Sequence, residues 1–211
     1  AESELDWTLI FESFGKFKEE LREFFPYRVI EVENAEADDV IATLCHQFGT
    51  DLVMGFDRQD ILIVSGDKDF QQLQKYDNVK QWDHVNKRMF NCNNPKKFLA
   101  EQILRGDVGD GVPNFLSDDD TLAVKGKRQK PMQETKMDGY FKNYPDNPEN
   151  ETLLRNWKRN QQMIDLDFVP EEIRKQVMEQ YESQAGKTRT KLTNYFIAKR
   201  LKNLHAFIND F

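Results

Sequence analysis

Ile61-Leu62-Ile63-Val64-Ser65-Gly66-Asp67-Lys68-Asp69-Phe70 is the stretch that decides the fold. Its four consecutive aliphatic residues have the pattern of a strand buried on both faces. The run breaks at Ser65-Gly66, and two carboxylates follow at once. Ligands of open α/β sheets bind beyond the carboxyl ends of the strands, so the Asp67-Lys68-Asp69 turn is a candidate site.

Upstream, Ala37 to Phe48 carries Val40, Ile41, Leu44 and Phe48 at helical spacing, with Gly49 where a C-cap belongs. Before it, Tyr27–Val32 has strand composition, and Trp7–Phe25 reads as a helix stopped by Pro26. Downstream, Val79–Val85 and Arg88–Cys92 around Asn86-Lys87 predict a hairpin, followed by a helix over Pro95–Leu104. Strand, helix, strand is the grammar of an α/β fold with a mostly parallel sheet and flanking helices. After Asp110 the texture changes. Residues 117–150 are rich in Asp, Lys, Asn, Pro and Gln, and 117–135 reads as a mobile loop. Helices are expected at 150–164, 171–184 and, in one or two pieces, 188–208. The division is therefore 1–110, an α/β region, and 111–211, a helical region.

The 211 residues can bury a substantial core. Charged residues make up 32%, and no apolar run reaches the ~18 residues of a membrane span. Two cysteines, Cys45 and Cys92, are too few for a disulfide scaffold or a cysteine zinc site, so a cytoplasmic setting is expected. The net charge of −7 argues at face value against a nucleic-acid binder. It hides an asymmetry. Residues 1–120 hold 25 acidic and 13 basic residues, a net of −12; residues 121–211 hold 12 and 17, a net of +5.

Carboxylates concentrate in three segments: Glu36-Ala37-Asp38-Asp39, Gly66-Asp67-Lys68-Asp69 and Gly106-Asp107-Val108-Gly109-Asp110. If their strands are parallel neighbours, they converge. Two carboxylates ~4 Å apart repel by roughly 4 kcal/mol at an effective dielectric near 20, so such a cluster demands protons or a cation. Short, hard oxygen donors suit Mg²⁺, with Mn²⁺ able to substitute. Two such ions ~3.5–4 Å apart can clamp a phosphodiester, one activating water and one stabilising the leaving oxygen. Singly, each segment has a plainer reading. Glu36 and Asp38 could cap a helix, Asp107 and Asp110 could form a polar turn, and Asp118-Asp119-Asp120 reads as a solvated run. The joint order of the first three favours the metal site.

Those three motifs, in that order, resemble the flap endonuclease and 5′-exonuclease superfamily, which shares its sheet with PIN-type nucleases. The likeness is greatest to the ribonucleases H of T-even bacteriophages. It extends to Asp69-Phe70-Gln71-Gln72-Leu73, Asn78-Val79-Lys80-Gln81-Trp82, Asp165-Leu166-Asp167-Phe168-Val169-Pro170 and Ile208-Asn209-Asp210-Phe211. The resemblance implies a PIN-like sheet. It also implies a two-metal 5′-nuclease that acts on 5′-flap DNA and RNA–DNA duplexes and removes replication primers. By position, Glu36, Asp38 and Asp67 match carboxylates of a first ion, Asp69 and Asp110 those of a second. Asp39 and Asp107 match acidic neighbours that steady the ligands. The family's N-terminal third, with further Asp motifs and a helical arch, has no counterpart here. The larger piece of a split enzyme, or a truncated one, is therefore expected, and a separate N-terminal polypeptide is one possible partner. A replication clamp or single-strand-binding protein is a possible partner, and a phage-infected host cytoplasm the expected location.

Lys125-Gly126-Lys127-Arg128-Gln129-Lys130 is the densest basic run, and Lys125, Lys127, Arg128 and Lys130 are the candidate phosphate contacts. Arg155, Lys158 and Arg159 share a predicted helix. Tyr140, Phe141, Tyr144 and Trp157 could stack on bases, but core packing is the stronger reading of them. Two other readings stay open: a catalytically silent DNA-binding scaffold and a PIN-type endoribonuclease.

Overall fold

A computed structural model describes residues 5–49, 58–143 and 150–211. They form two compact units, one of 1–33 with 175–211 and the other of 34–174. This partition does not follow the 1–110 and 111–211 division. The reason is aromatic: helix α1 (Trp7–Phe24) and the C-terminal elements share one cluster, in which Phe25, Leu192, Tyr195 and Phe196 are buried with Leu21, Phe24 and Phe211 against them. Phe24 stacks on Tyr195 with ring centroids 4.8 Å apart.

In the first unit, the stretch expected as a strand at 27–32 joins no sheet. It is extended, but its polar groups bond to side chains of helix α6, which the full element order places at Glu171–Ser183. Gln184, just past that helix, accepts from the Val29 N–H at 3.0 Å and donates to the Val29 carbonyl at 3.1 Å. Gln180 does the same to Glu31, at 3.0 and 2.7 Å. The repeat distances explain the fit. Four helical residues advance about 6 Å and two extended residues about 6.6 Å, so amides at i and i+4 meet alternate residues of an extended chain. Strand composition is satisfied here without a neighbouring strand.

The second unit holds a small mixed sheet in the order β1-β2-β3, where β1 is Ile61–Val64, β2 Val79–Asp83 and β3 Arg88–Phe90. β1 and β2 are parallel with Ile61 opposite Val79; β2 and β3 form the expected hairpin, antiparallel, with Gln81 opposite Phe90. The Asp83 carboxylate closes its turn by accepting from the backbone of Val85 and Asn86 at 3.0 Å each. The sheet is therefore mixed, with one parallel and one antiparallel pairing among the described residues. β1 also departs from expectation. Ile63 is buried, but Leu62 and Val64 are 57% and 59% exposed, so only one face of the strand is covered.

The covered face packs on helix α2 (Ala37–Gly49) and on the 3₁₀ helix Asp69–Lys75 through Ala42, Cys45, Ile63, Phe70, Leu73 and Val79. A second core joins α3 (Pro95–Arg105), α4 (Glu134–Asn143) and α5 (Glu151–Ile164) around Ile103, Leu104, Phe115, Met137 and Trp157. Helix α4 was not expected; Met137, Tyr140 and Phe141 lie on its inner face at i, i+3 and i+4. Tyr140, Phe141 and Trp157 are thus core side chains, while Tyr144 lies outside the described residues. Near the end of the chain, 188–208 breaks into α7 (Leu192–Ala198) and a kinked 3₁₀ segment, Lys202–Asp210. No described helix is long and apolar enough to cross a membrane.

Candidate metal centre

Each acidic segment is set by a local device. At the start of α2, Asp39 reaches back to accept from the Glu36 N–H at 3.0 Å and so ties down the helix entry. Asp38, next to it, is left for the cavity. After β1, the Asp67 N–H donates to Ser65 Oγ and Asp67 Oδ1 accepts from the Asp69 N–H at 2.9 Å. Gln81, fully buried on β2, donates from Nε2 to the carbonyls of both Ser65 and Asp67 and so fixes the turn from below. After α3, the chain reverses at Gly106, and Asp107 pairs with Val112 in an isolated bridge. The Asp107 carboxylate accepts from the Gly109 N–H at 2.7 Å and from the Asp110 N–H at 3.3 Å, holding the turn that presents Asp110.

These devices bring Glu36, Asp38, Asp39, Asp69, Asp107 and Asp110 to the wall of one cavity of about 100 Å³, completed by Gln102, Gly106, Met163, Ile164 and Leu166. Asp67 is exposed and does not line the cavity, but its charge acts on Asp38 and Asp69. Burial pushes the Asp38 carboxyl up to about 6, helped by the charges of Asp67, Asp69, Glu36 and Asp39. Burial, then the charge of Asp67, also raises Asp69, against a hydrogen bond from Gln102 that lowers it. The donor set consists of hard oxygens, the chemistry that Mg²⁺ or Mn²⁺ requires. Among the described residues no three of these groups approach closely enough to enclose a bare ion. Mg²⁺ keeps several of its own waters, so carboxylates around a cavity with room for several waters fit a hydrated ion.

The sign of the Asp38 effect is testable. Its folded pKa lies above its unfolded value, so below pH ~4 it does not oppose folding, and stability is lost as pH rises through about 6. The difference in Tm between wild type and Asp38→Asn, measured in EDTA, should therefore fall between pH 4 and pH 6. A flat difference would mean that Asp38 is not desolvated in the cavity.

Several supports of the site were not expected. Gln72, 3% exposed, donates to the Ile164 carbonyl at 3.1 Å and accepts from the Leu166 N–H at 2.9 Å, setting the apolar floor of the cavity. Asn160 on α5 donates to the carbonyls of Ile103 and Pro113, at 2.8 and 2.9 Å, tying the end of α3 to the return of the Asp107–Val112 turn. Arg159 donates to the carbonyls of Pro113 and Asn114. The only sequence signal was the frequency of amide residues, such as Asn156 and Asn160 one helical turn apart.

The basic run lies apart from the residues lining this cavity. Lys127 is held between Asp118, at 3.1 Å, and Asp120; Lys130 is 3.9 Å from Asp118; and Arg155 and Arg159 both pair with Asp119. The triplet expected as a solvated run is thus a set of counter-charges. Lys125 and Arg128 make no ion pair among the described residues and are exposed. The 117–135 segment has no helix before Glu134. It is tied down where Asn114 Nδ2 donates to the Lys130 carbonyl and the Lys130 N–H donates to Ser117 Oγ, each at 2.9 Å.

Comparison with known proteins fits this geometry. The family model described as "T4 RNase H, C terminal" matches residues 95–211. The chain belongs to the T4 ribonuclease H family. The rest of this T4 ribonuclease H-type chain agrees: the 5′-3′ exonuclease N-terminal resolvase-like domain matches residues 10–102, the region of α1, the sheet and two of the three acidic segments. Ribonuclease H of Enterobacteria phage T4 is 32% identical over 219 aligned residues, which take in all of this chain and 69% of the relative. Flap endonuclease Xni of Shewanella piezotolerans is 40% identical over 88 residues, 38% of this chain and 32% of the relative. Membership of the T4 ribonuclease H family supports a nuclease.

Proposed function

We propose that this chain carries the metal-binding and nucleic-acid-binding parts of a divalent-metal-dependent 5′-nuclease, acting on phosphodiesters of 5′-flap DNA and RNA–DNA duplexes. The observation that carries the reading is the convergence of carboxylates from three separate segments on one small cavity. Burial and mutual repulsion at Asp38 and Asp69 oppose that convergence, and a divalent cation relieves both. Glu36, Asp38 and Asp67 would hold one ion, and Asp69 and Asp110 a second; Asp39 and Asp107 hold the backbone that carries them. Bound there, Mg²⁺ would supply Lewis-acid activation of water and charge stabilisation at the leaving oxygen.

The protein's own contribution is positional. The turns after β1 and α3 present carboxylates at fixed spacing, and Met163, Ile164 and Leu166 limit water at the cavity floor. Lys125 and Arg128 are exposed cations suited to phosphate. Lys127 and Lys130 would exchange their Asp118 and Asp120 partners for the nucleic-acid backbone, which makes binding strongly salt-dependent.

The test couples stability to catalysis. Mn²⁺ at about a hundred times its Kd should stabilise the fold by about 2.7 kcal/mol, hence raise Tm by roughly 5–10 °C. Asp67→Asn should remove most of that gain, and Mg²⁺-dependent cleavage of a labelled 5′-flap should fall with it. A wild-type Tm unmoved by Mn²⁺ would sink the metal site. Metal binding with tight flap binding but no cleavage would instead favour the silent-scaffold reading.

A further inference from the structure

One side chain in the cavity wall has no part in the reading above. Gln102, on the last turn of α3, donates from Nε2 to Asp69 Oδ1, while its Oε1 is buried with no hydrogen-bond partner. Folding does not call for an amide at this position. The end of α3 is already closed by the Gly106 N–H on the Gln102 backbone carbonyl at 2.8 Å, and its apolar face is carried by Ala100, Ile103 and Leu104. A buried, unpartnered amide oxygen is a cost that an apolar side chain of the same length avoids.

We propose that Gln102 is a positioning residue for the divalent-cation site, an inference that rests on the metal reading above. Its amide holds Oδ1 of Asp69 against the α3 wall and leaves Oδ2, which has no hydrogen bond among the described residues, for a cation. The choice of an amide has a physical reason. A lysine here would neutralise Asp69 and compete with the metal. A neutral N–H donor offsets the repulsion from Asp67, Asp107 and Asp110 without adding a charge that the metal must displace.

The experiment uses the full chain and Mn²⁺ alone, with free Mn²⁺ followed by electron paramagnetic resonance and Tm followed in EDTA. Gln102→Met keeps the length and removes the donor. It should bind Mn²⁺ about 10-fold more weakly than wild type, while its Tm in EDTA stays within a few degrees. Gln102→Asn, which keeps an amide but falls one methylene short of Asp69, should show the same loss and serves if the methionine variant does not fold. A lowered Tm in EDTA with Mn²⁺ affinity within about twofold of wild type would overturn the proposal, leaving Gln102 a purely structural residue. Absence of Mn²⁺ binding by the wild type would overturn the cation site itself, and this inference with it.

Discussion

Gly106→Ala should lower the unfolding free energy by about 3–5 kcal/mol and dismantle the Asp107–Asp110 turn. Gly106 has φ +69° and ψ −174°, a region open in practice only to glycine, and forcing a side chain into it costs about 1–3 kcal/mol. The added Cβ would also lie 2.4 Å from the Val112 carbonyl oxygen and 2.6 Å from the Pro113 carbonyl carbon and oxygen. Those are backbone atoms, and they cannot yield easily. The Val112 N–H is bonded to the Asp107 carbonyl at 2.7 Å, and Pro113 is held by Asn160 and Arg159. Urea denaturation should show a lower midpoint at unchanged slope. Stability within about 1 kcal/mol of wild type would mean that the turn relaxes freely, and the packed description of this corner would be wrong.

Asn160→Leu should cost about 2–4 kcal/mol, although leucine matches asparagine in size and suits a buried site. Asn160 has no solvent exposure, and its Nδ2 serves two carbonyls, Ile103 and Pro113. Leucine would leave both without that donor, and an unsatisfied buried acceptor costs about 1–3 kcal/mol. Pro113 keeps a second donor, Arg159 at 3.1 Å, which sets the upper bound below the full sum. Asn160→Asp should be at least as damaging, since a carboxylate cannot donate to a carbonyl. If Asn160→Leu is as stable as wild type, the amide bonds are not what joins α5 to the acidic turn. Because Gly106→Ala strains the same turn, the double variant should lose less than the two single losses combined.

The helices at Trp7–Phe24, Ala37–Gly49, Pro95–Arg105, Glu151–Ile164 and Glu171–Ser183 were legible because their signals are local. Apolar spacing, Pro26 and Gly49 each act within a turn or two. The β2–β3 hairpin was legible for the same reason, and so was the order of the three carboxylate segments. Helix α4 was obscured by the polar residues around Met137, Tyr140 and Phe141, which pack only because α3 and α5 are already there.

The acidic cavity was legible in its members but not in its support. Nothing near Asp107 in sequence foretells that Asn160 holds its turn, or that Gln81 braces the turn carrying Asp67. The amide-to-backbone bonds Gln81–Asp67 and Gln184–Val29 span 14 and 155 residues, and amide residues have no periodicity that announces a partner. The charges of Lys127 and Arg155 read as available to phosphate because a sequence shows charge but not who stands opposite. By itself, then, the sequence determined the local periodicity, the α/β class and the order of the carboxylate segments, while of the carboxylates it singled out Asp67 does not line the cavity. Tertiary structure decided that 27–32 is clasped by glutamines rather than by a strand, that Leu62 and Val64 stay uncovered, and that Asp118–Asp120 pair with Lys127, Lys130, Arg155 and Arg159. The reason is one of range: helix and turn propensities are set by neighbours in the chain, whereas a buried polar group is satisfied by whatever the fold brings to it.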